Sequence, residues 1–334
     1  MPIGDISRLC IYVFCSFAKP FTQGGAGRIA TVYKKILYRE YTDGTFTQEI
    51  PHPGHLGILG PVVRGEVGDT IKVHFKNFAK RPLTIHPHGV LYSKANEGAI
   101  YADQSNTDQK RDDSVQTNQV QVYTWFVNEE HAPTAADEDC ITRMYHSHVI
   151  SSQDVNSGLI GNDEPFFTLE CKVVYKQLLF FPSSLGPLLI CKRGTLIENS
   201  TMNKNVDKEF VILFTEFDEN KSWLLDDNIE KYANNPGAIK AIKSSPEFIA
   251  SNKMASINGY IYGNLPGLDM KQGDKISWHI IGVGDWSDIH SRELFFYIFY
   301  FCIVSRTVTQ TSLCPCICLF LFPLCSLHNL SLAA

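Results

Sequence analysis

The sequence predicts an all-β protein, folded as a sandwich or a barrel of short strands. Segments rich in β-branched and aromatic residues follow one another at short intervals, separated by turns of Gly, Pro and Asp. No helix of convincing length is predicted before residue 220, which sets the chain apart from alternating strand–helix units. A seven-residue phrase also occurs twice, which favours two copies of one domain type.

The expected strands follow in chain order. In the first half of the chain they are Thr31–Tyr41, Gly57–Val63, Ile71–Phe75 and Val120–Phe126. In the second half they are Phe210–Phe217, Ala255–Tyr260 and Lys275–Ile280. One short helix is expected within Trp223–Tyr232. The strands carry the β-branched and aromatic side chains that suit a half-buried sheet surface.

The repeated phrase reads G-D-x-I-x-ψ-H, where ψ is Val or Trp. It begins at Gly68 in the first half and at Gly273 in the second, each time as a turn that leads into a strand. His74 and His279 close the two copies, and their matching positions favour a structural role. Three other histidines lie in turn-rich polar contexts and are expected at the surface: His52, His55 and His131.

Composition excludes several classes of protein. Of the 334 residues, 44% are hydrophobic and 12% aromatic, which is ample for buried cores and argues against a disordered chain. The formal charge of -5 offers no basic surface, so no nucleic-acid partner is predicted.

The cysteines and the glycosylation sequons bear on the compartment. Cys140 and Cys191 stand apart from the cysteines near the two ends, which fits one disulfide in a secreted domain or two unrelated buried thiols. Asn199 and Asn220 begin N-glycosylation sequons. Both features favour an extracellular protein.

The two ends differ from the body of the chain. Residues 1–20 contain a short apolar run that is a weak signal segment or unrelated sequence. Near the other end, Leu294–Val304 and Leu313–Leu327 are apolar, yet each is shorter than the roughly 20 residues that span a bilayer. This tail is expected to lie outside the folded unit.

Two histidine phrases carry the chemistry, His86-Pro87-His88 and His146-Ser147-His148. Side chains two residues apart on an extended segment project to the same face, about 7 Å apart. Two such segments side by side would bring four imidazoles to one place. Neutral imidazole suits Cu, Zn, Fe and Ni, so the pattern predicts a metal site without choosing the metal.

These phrases resemble the ceruloplasmin–hephaestin group of multicopper oxidases. The resemblance runs from about Phe21 to His290, and its strongest stretches include Tyr38–Asp43, Arg81–Gly89, Glu97–Tyr101, Tyr145–His148 and Ser157–Gly161. It implies tandem cupredoxin-like Greek-key β-sandwiches, of which the second is incomplete here.

The resemblance also implies a copper site. In the family, the first and last domains share a trinuclear copper cluster, and the first domain's four ligands match His86, His88, His146 and His148. The last domain supplies the other ligands and the mononuclear copper that takes electrons from Fe²⁺. Its H-C-H phrase does not occur in this sequence. The implied activity is ferroxidase chemistry with Fe²⁺ and O₂ as substrates, completed only with a C-terminal cupredoxin domain.

Further site residues follow from the same resemblance. A calcium site is implied at Lys94, Gln109, Asp112 and Asp113, where oxygen ligands suit a hard cation and a solvated acidic loop is the alternative. A sodium site is implied at Phe21, Ala30 and Tyr33. His290 matches the first ligand of a mononuclear copper site, and Cys140 with Cys191 matches a family disulfide.

The resemblance defines the expected domains. They are residues 1–20 as a non-family segment, 21–192 as the first cupredoxin domain, 207–292 as a partial second domain and 293–334 as a non-family tail. Residues 162–186 have no family counterpart and the resemblance stops near His290, which indicates a truncated or wrongly spliced product or a faulty gene model. The alternative function is a non-enzymatic fragment like the A domains of coagulation factors V and VIII. That branch does not keep full H-x-H pairs, whereas both are intact here.

The family's location completes these expectations. Its members are secreted or lie on the extracellular face of the plasma membrane, so the same is expected for the full-length form of this protein.

Overall fold

The computed structural model describes residues 27–29, 33–101, 113–158, 170–173, 178–179, 185–198, 202–261 and 265–283. For 170–173, 178–179 and residue 185 only the backbone is described. The predicted N-terminal segment and the apolar tail lie outside these residues. Among the described residues, no helix is both long enough and apolar enough to cross a membrane.

The described residues contain eleven strands and four short α-helices. The strands of the first half are β1 (Val63–Glu66), β2 (Thr70–Lys76), β3 (His86–Pro87), β4 (Val120–Phe126), β5 (Cys140–His146), β6 (Glu170–Val173), β7 (Leu178–Leu179) and β8 (Leu185–Cys191). Those of the second half are β9 (Lys208–Asp218), β10 (Lys253–Ile257) and β11 (Ile276–Val283). The helices are α1 (Ser151–Asn156), α2 (Leu225–Tyr232), α3 (Pro236–Ile242) and α4 (Pro246–Ser251).

The first unit is a sandwich of two four-stranded sheets, with strand orders β1-β8-β5-β3 and β4-β2-β6-β7. Strand β2 alternates buried and accessible residues, as the two-residue period of a strand requires, and so points Phe75 into the core. Trp125 of β4 and Tyr145 of β5 are buried in the same cluster. The core therefore lies between the two sheets.

The second unit contributes one three-stranded sheet, with the order β10-β9-β11, and the helices α2 to α4. Val211, Leu213 and Ile281 of this sheet share a buried cluster with Leu56, Ile58 and Leu59 of the first unit, and Met144 of β5 packs against it. The two units therefore bury a common apolar surface. The predicted all-β class is confirmed, with a β-sandwich in the first unit and one three-stranded sheet among the described residues of the second.

The repeated phrase folds alike in both units. Gly68 and Gly273 have φ angles of 89° and 97°, a region in which glycine has no steric penalty. In each copy the Asp side chain accepts a hydrogen bond from a backbone N–H three residues earlier: Asp69 from Glu66 at 3.0 Å, and Asp274 from Lys271 at 2.8 Å. The same turn therefore starts β2 and β11.

Two predicted strands near the start of the chain are wrong. Residues 33–40 form no strand, because the backbone N–H of Lys34 donates to Asn228 Oδ1 of α2 at 2.6 Å. Residues 57–62 are largely buried but join no sheet ladder; the N–H of Ile58 donates instead to the Asn258 carbonyl at 3.1 Å. In both segments the second unit takes a backbone hydrogen bond that a strand would need.

The segment expected to interrupt the first domain is partly strand. Strands β6 and β7 lie within residues 162–186, and β6 pairs antiparallel with β2. Strand β8 starts at Leu185, inside the same segment. The domain limits remain predictions.

Candidate metal centre

The four histidines of the two H-x-H phrases lie together at one edge of the first sheet. His86 of β3 pairs directly with His146 of β5. The ring centroid of His86 lies 5.0 Å from that of His88, 5.6 Å from that of His146 and 5.0 Å from that of His148. The structure therefore brings both couples to a single place.

Backbone carbonyls orient two of the four rings. His86 Nδ1 lies 2.8 Å from the Glu97 carbonyl oxygen, and His146 Nδ1 lies 2.8 Å from that of Ser147. A carbonyl oxygen can only accept, so each Nδ1 carries the proton and leaves Nε2 with a lone pair. His146 Nε2 lies 2.9 Å from His88 Nε2, so in the metal-free protein the His88 nitrogen donates to it.

Burial lowers the pKa of three of the four rings, those of His86, His88 and His146. Desolvation, with smaller contributions from the neighbouring imidazoles, lowers the pKa of His146 to about 4. Desolvation also lowers the pKa of His86 and of His88. Among the described residues, no carboxylate oxygen is hydrogen-bonded to any of the four rings. Unprotonated imidazole is the form that binds metals.

Glycine is required where the backbone closes on this site. Gly98 has a φ angle of 63°, and a Cβ placed there would lie 2.2 Å from the Ile85 carbonyl oxygen. It directly follows Glu97, whose carbonyl anchors His86. The tight approach of these two segments therefore depends on the absence of a side chain at residue 98.

The cluster is not a complete ligand shell. Within the described part of the chain, no three His, Cys, Asp or Glu side chains are arranged to hold a metal ion. His86 and His146 are buried, whereas His88 and His148 are half-buried. The four imidazoles thus lie close together, and the rings of His88 and His148 are partly accessible to solvent.

The calcium residues are only partly described. Lys94 Nζ lies 3.3 Å from Asp113 Oδ1 and 3.2 Å from Glu97 Oε2, so the ammonium group pairs with both carboxylates. Gln109 and Asp112 lie outside the described residues.

The other predicted site residues are placed as follows. Of the predicted sodium ligands, only Tyr33 is described, and its hydroxyl donates to Asn252 Oδ1 at 3.2 Å. The other predicted site residues outside the described part of the chain are Phe21, Ala30, Asn199 and His290. Asn220 is half-buried, and its side-chain nitrogen donates to Asp218 Oδ1 and to the Ile249 carbonyl. Cys140 and Cys191 form a disulfide, as predicted, which joins β5 to β8.

Two tyrosines beside the cluster have no role in the sequence-based predictions. The Tyr92 ring centroid lies 6.0 Å from that of His86, and the Tyr101 centroid lies 5.9 Å from that of His148. The Tyr101 hydroxyl donates to Glu97 Oε1 at 2.6 Å. Tyr101 lies in a stretch that resembles the family, Glu97–Tyr101, and this resemblance was the sequence feature that could have pointed to it.

Comparisons of the sequence place the chain in the class of multicopper oxidases. The family model described as multicopper oxidase, Cu-oxidase_3, matches residues 56–162. Among solved structures, one described as Multicopper Oxidase mgLAC is 18% identical with a TM-score of 0.38, over 67% of this chain and 51% of that one. A superposition this weak adds nothing to the assignment.

Curated relatives define the family more narrowly. Human Ferroxidase HEPHL1 is 45% identical over 277 residues, which is 83% of this chain and 21% of that protein. Mouse hephaestin is 45% identical over 82% of this chain and 21% of its own length, and rat ceruloplasmin 45% over 82% and 23%. The chain belongs to the ceruloplasmin–hephaestin family of multicopper oxidases, and it spans about a fifth of the length of the curated relatives it matches.

Proposed function

We propose that this chain supplies half of a copper site to a ferroxidase-type multicopper oxidase. The observation that carries the proposal is the convergence of four imidazoles with ring centroids about 5 Å apart, to which no carboxylate of the described residues is hydrogen-bonded. The ligands are His86, His88, His146 and His148.

The donor set fits copper. Imidazole nitrogen is a good ligand for copper among several first-row metals, and the family membership selects copper from these. To bind a metal ion through Nε2, the neutral His88 ring would carry its proton on Nδ1 instead and would give up its hydrogen bond to His146 Nε2.

Bound copper would supply one-electron redox chemistry, which removes an electron from each Fe²⁺ and reduces O₂ to water. The chain's own residues prepare for it. The Glu97 and Ser147 carbonyls fix the orientation of two rings, and burial lowers the pKa of His86, His88 and His146, which favours their unprotonated form. The two accessible rings, His88 and His148, face outward for a partner that completes the ligand set.

That partner is a C-terminal cupredoxin domain. No three donors of the described residues form a ligand set by themselves, and the sequence lacks an H-C-H phrase for the electron-entry copper. The chain alone should therefore show no Fe²⁺ oxidation by O₂ above that of free copper.

The location and the remaining sites belong to the same proposal. The Cys140–Cys191 disulfide is typical of an oxidising compartment, which supports a secreted protein or the outer face of the plasma membrane. A calcium ion at Lys94, Gln109, Asp112 and Asp113 would need the Lys94 ammonium to leave Asp113. The sodium site, the copper remnant at His290 and the glycans at Asn199 and Asn220 rest on sequence alone.

A copper titration of the full chain tests the proposal. Cu²⁺ binding should fall at least about a hundredfold in the double variant His86→Ala/His148→Ala, because two of four ligands are lost. His131→Ala is the matched control, since His131 lies outside the cluster. Equal affinity in the wild type and the double variant would contradict the proposal and would favour the non-enzymatic fragment related to the coagulation factors.

A further inference from the structure

Asp154 is a buried carboxylate that the proposed copper chemistry does not use. It lies in α1 and is 4% exposed. Its two oxygens accept four hydrogen bonds: Oδ2 from Ser147 Oγ at 2.9 Å, Val149 N at 3.0 Å and Ile150 N at 3.1 Å, and Oδ1 from Trp223 Nε1 at 2.8 Å. A carboxylate this buried is stable only because all these donors are aimed at it.

Three of the four donors belong to the second histidine segment. Ser147 lies between His146 and His148, and the two backbone donors follow directly after His148. One carboxylate oxygen therefore gathers the backbone on the C-terminal side of the histidine couple.

The hydrogen bonds continue to the first histidine segment through Thr84. The Thr84 N–H donates to Ser147 Oγ at 3.2 Å, and the His148 N–H donates to Thr84 Oγ1 at 2.8 Å. Thr84 stands two residues before His86 and is fully buried. Asp154, Ser147 and Thr84 thus form one continuous link between the two couples.

This link compensates for a short strand pairing. Strands β3 and β5 pair over only two positions, His86 with His146 and Pro87 with Tyr145. His148 lies beyond the end of β5 and makes only an isolated bridge to Ala99. Because the ladder is so short, the position of His148 depends on the hydrogen bonds that link it to Thr84, Ser147 and Asp154.

The fourth donor comes from the second unit. Trp223 precedes α2, and its backbone N–H also donates to Ser157 Oγ at 2.8 Å. The Arg81 guanidinium carbon lies 4.0 Å from the centre of its ring. The indole is therefore held by several contacts while its N–H reaches the Asp154 carboxylate.

We infer that Asp154 is a positioning residue for the copper histidines, and that Trp223 couples the second unit to them through it. The copper part of this inference rests on the proposed function. Its geometric part, the placement of the imidazoles, holds without metal.

The test uses the full chain with Asp154→Asn. In the wild type, three donors are hydrogen-bonded to Asp154 Oδ2. The amide oxygen of the variant is therefore expected in that position, which places the amide NH₂ group opposite the indole N–H of Trp223. Two donors then oppose each other. Trp223→Phe removes that opposition, so the double variant should recover part of what the single variant loses.

Two readouts separate the inference from the proposed function. In metal-free protein with labelled histidine, Asp154→Asn should shift the ring signals of His146 and His148 and leave that of His279 in place. In copper titrations it should weaken binding about tenfold, with partial recovery in the double variant. Failure of the wild type to bind copper would overturn the proposed function, and the ring signals would still decide the positioning role.

Two further variants complete the design. Asp137→Asn is the matched control, because the exposed Asp137 carboxylate likewise accepts from a hydroxyl and a backbone N–H, both of Thr134 at 2.7 Å. Ser147→Ala cuts the link to Thr84 while keeping the backbone donors, and it serves if Asp154→Asn does not fold. Unchanged ring signals in folded Asp154→Asn, or in Ser147→Ala, would overturn the inference. A double variant no better than Asp154→Asn would overturn the coupling through Trp223.

Discussion

Among the described residues, the most deeply buried histidines lie in two regions, and different groups face their ring nitrogens. In the candidate metal centre, imidazoles face imidazoles, and His88 and His146 stack with centroids 5.1 Å apart. At the junction of the two units, His279 Nε2 lies 3.1 Å from Glu209 Oε1, and its Nδ1 lies 3.1 Å from Thr142 Oγ1. Arg64 binds the other oxygen of the same carboxylate at 3.0 Å.

This difference in the partners of the ring nitrogens distinguishes a structural histidine, His279, from histidines that are available to bind a metal ion. Every ring nitrogen of His279 has a protein partner, and the network joins Arg64 and Thr142 of the first unit to Glu209 and His279 of the second. Although burial alone would raise the pKa of Glu209, the His279 hydrogen bond and Arg64 lower it below its ordinary value. No carboxylate of the described residues is hydrogen-bonded to the rings of the cluster, whose partners are two backbone carbonyls and one another.

The largest effect on stability is expected from a substitution at the junction of the two units. Glu209→Ala leaves Arg64 and His279 buried without their common acceptor and should destabilise the protein by about 3–5 kcal/mol. Urea unfolding measures this loss. Copper affinity of the folded variant should stay at the wild-type value, and a loss below about 1 kcal/mol would contradict the structural role of the network.

A smaller effect is expected from pH, and it arises from the cluster. The folded-state pKa of His146, about 4, lies below the ordinary value of 6.5, so the unfolded chain binds more protons between these values. The stability contributed by neutral His146 is present above pH 6.5 and is lost as the pH falls toward 4, up to about 3 kcal/mol.

His52 provides the comparison for that prediction. Burial, together with the Arg39 charge, also lowers its pKa to about 4, but His52 lies outside the cluster. His146→Gln and His52→Gln should each flatten the loss of stability on acidification, and only His146→Gln should weaken copper binding. A profile unchanged by His146→Gln would contradict the burial of that ring.

A third effect sharpens the contrast between the two regions. Gly98→Ala forces a side chain into positive φ against the Ile85 carbonyl and should cost about 2 kcal/mol. The strain falls on the carbonyl of Glu97, so the His86 ring signal should move and that of His279 should not. Equal shifts at both histidines would indicate a global rather than a local change.

The smallest effect concerns the tyrosine beside the cluster. Tyr101→Phe removes a hydroxyl that donates to Glu97 in an exposed setting, so the free energy of unfolding should change by less than about 1 kcal/mol. Thermal unfolding checks this value, with Tyr232→Phe as the control on an outer helix. A larger loss would make Tyr101 part of the support of the site.

The strands that the sequence predicts well are those whose period is set by local burial. Strand β4 has the predicted limits, and β2 and β11 differ from theirs by one to three residues. Residues 33–40 have an equally β-like composition, yet the backbone of Lys34 is hydrogen-bonded to Asn228 of the second unit and that of Ile36 to Ser157. The helices α3 and α4 were not predicted, because each has six or seven residues and shows little periodicity.

The candidate metal centre likewise has features that the sequence predicts and features that it does not. Two-residue spacing is a local property, and it sufficed to predict that the two imidazoles of each couple share a face, whereas the meeting of the two couples depends on how their segments pair. The support from Glu97, Asp154 and Trp223 depends on contacts between distant segments, which no spacing reveals. The expectation that His52, His55 and His131 are exposed is wrong for this reason, since all three are half-buried and His52 Nε2 lies 3.0 Å from the Gly57 carbonyl oxygen.

X-ray absorption at the copper edge tests the central claim most directly. With one equivalent of Cu²⁺ bound to the full chain, the spectrum should show the outer-shell scattering of imidazole rings. That signal should disappear when His86, His88, His146 and His148 are all replaced by alanine and should persist when His52, His55 and His131 are. An imidazole signal that survives loss of the four cluster histidines would contradict the account.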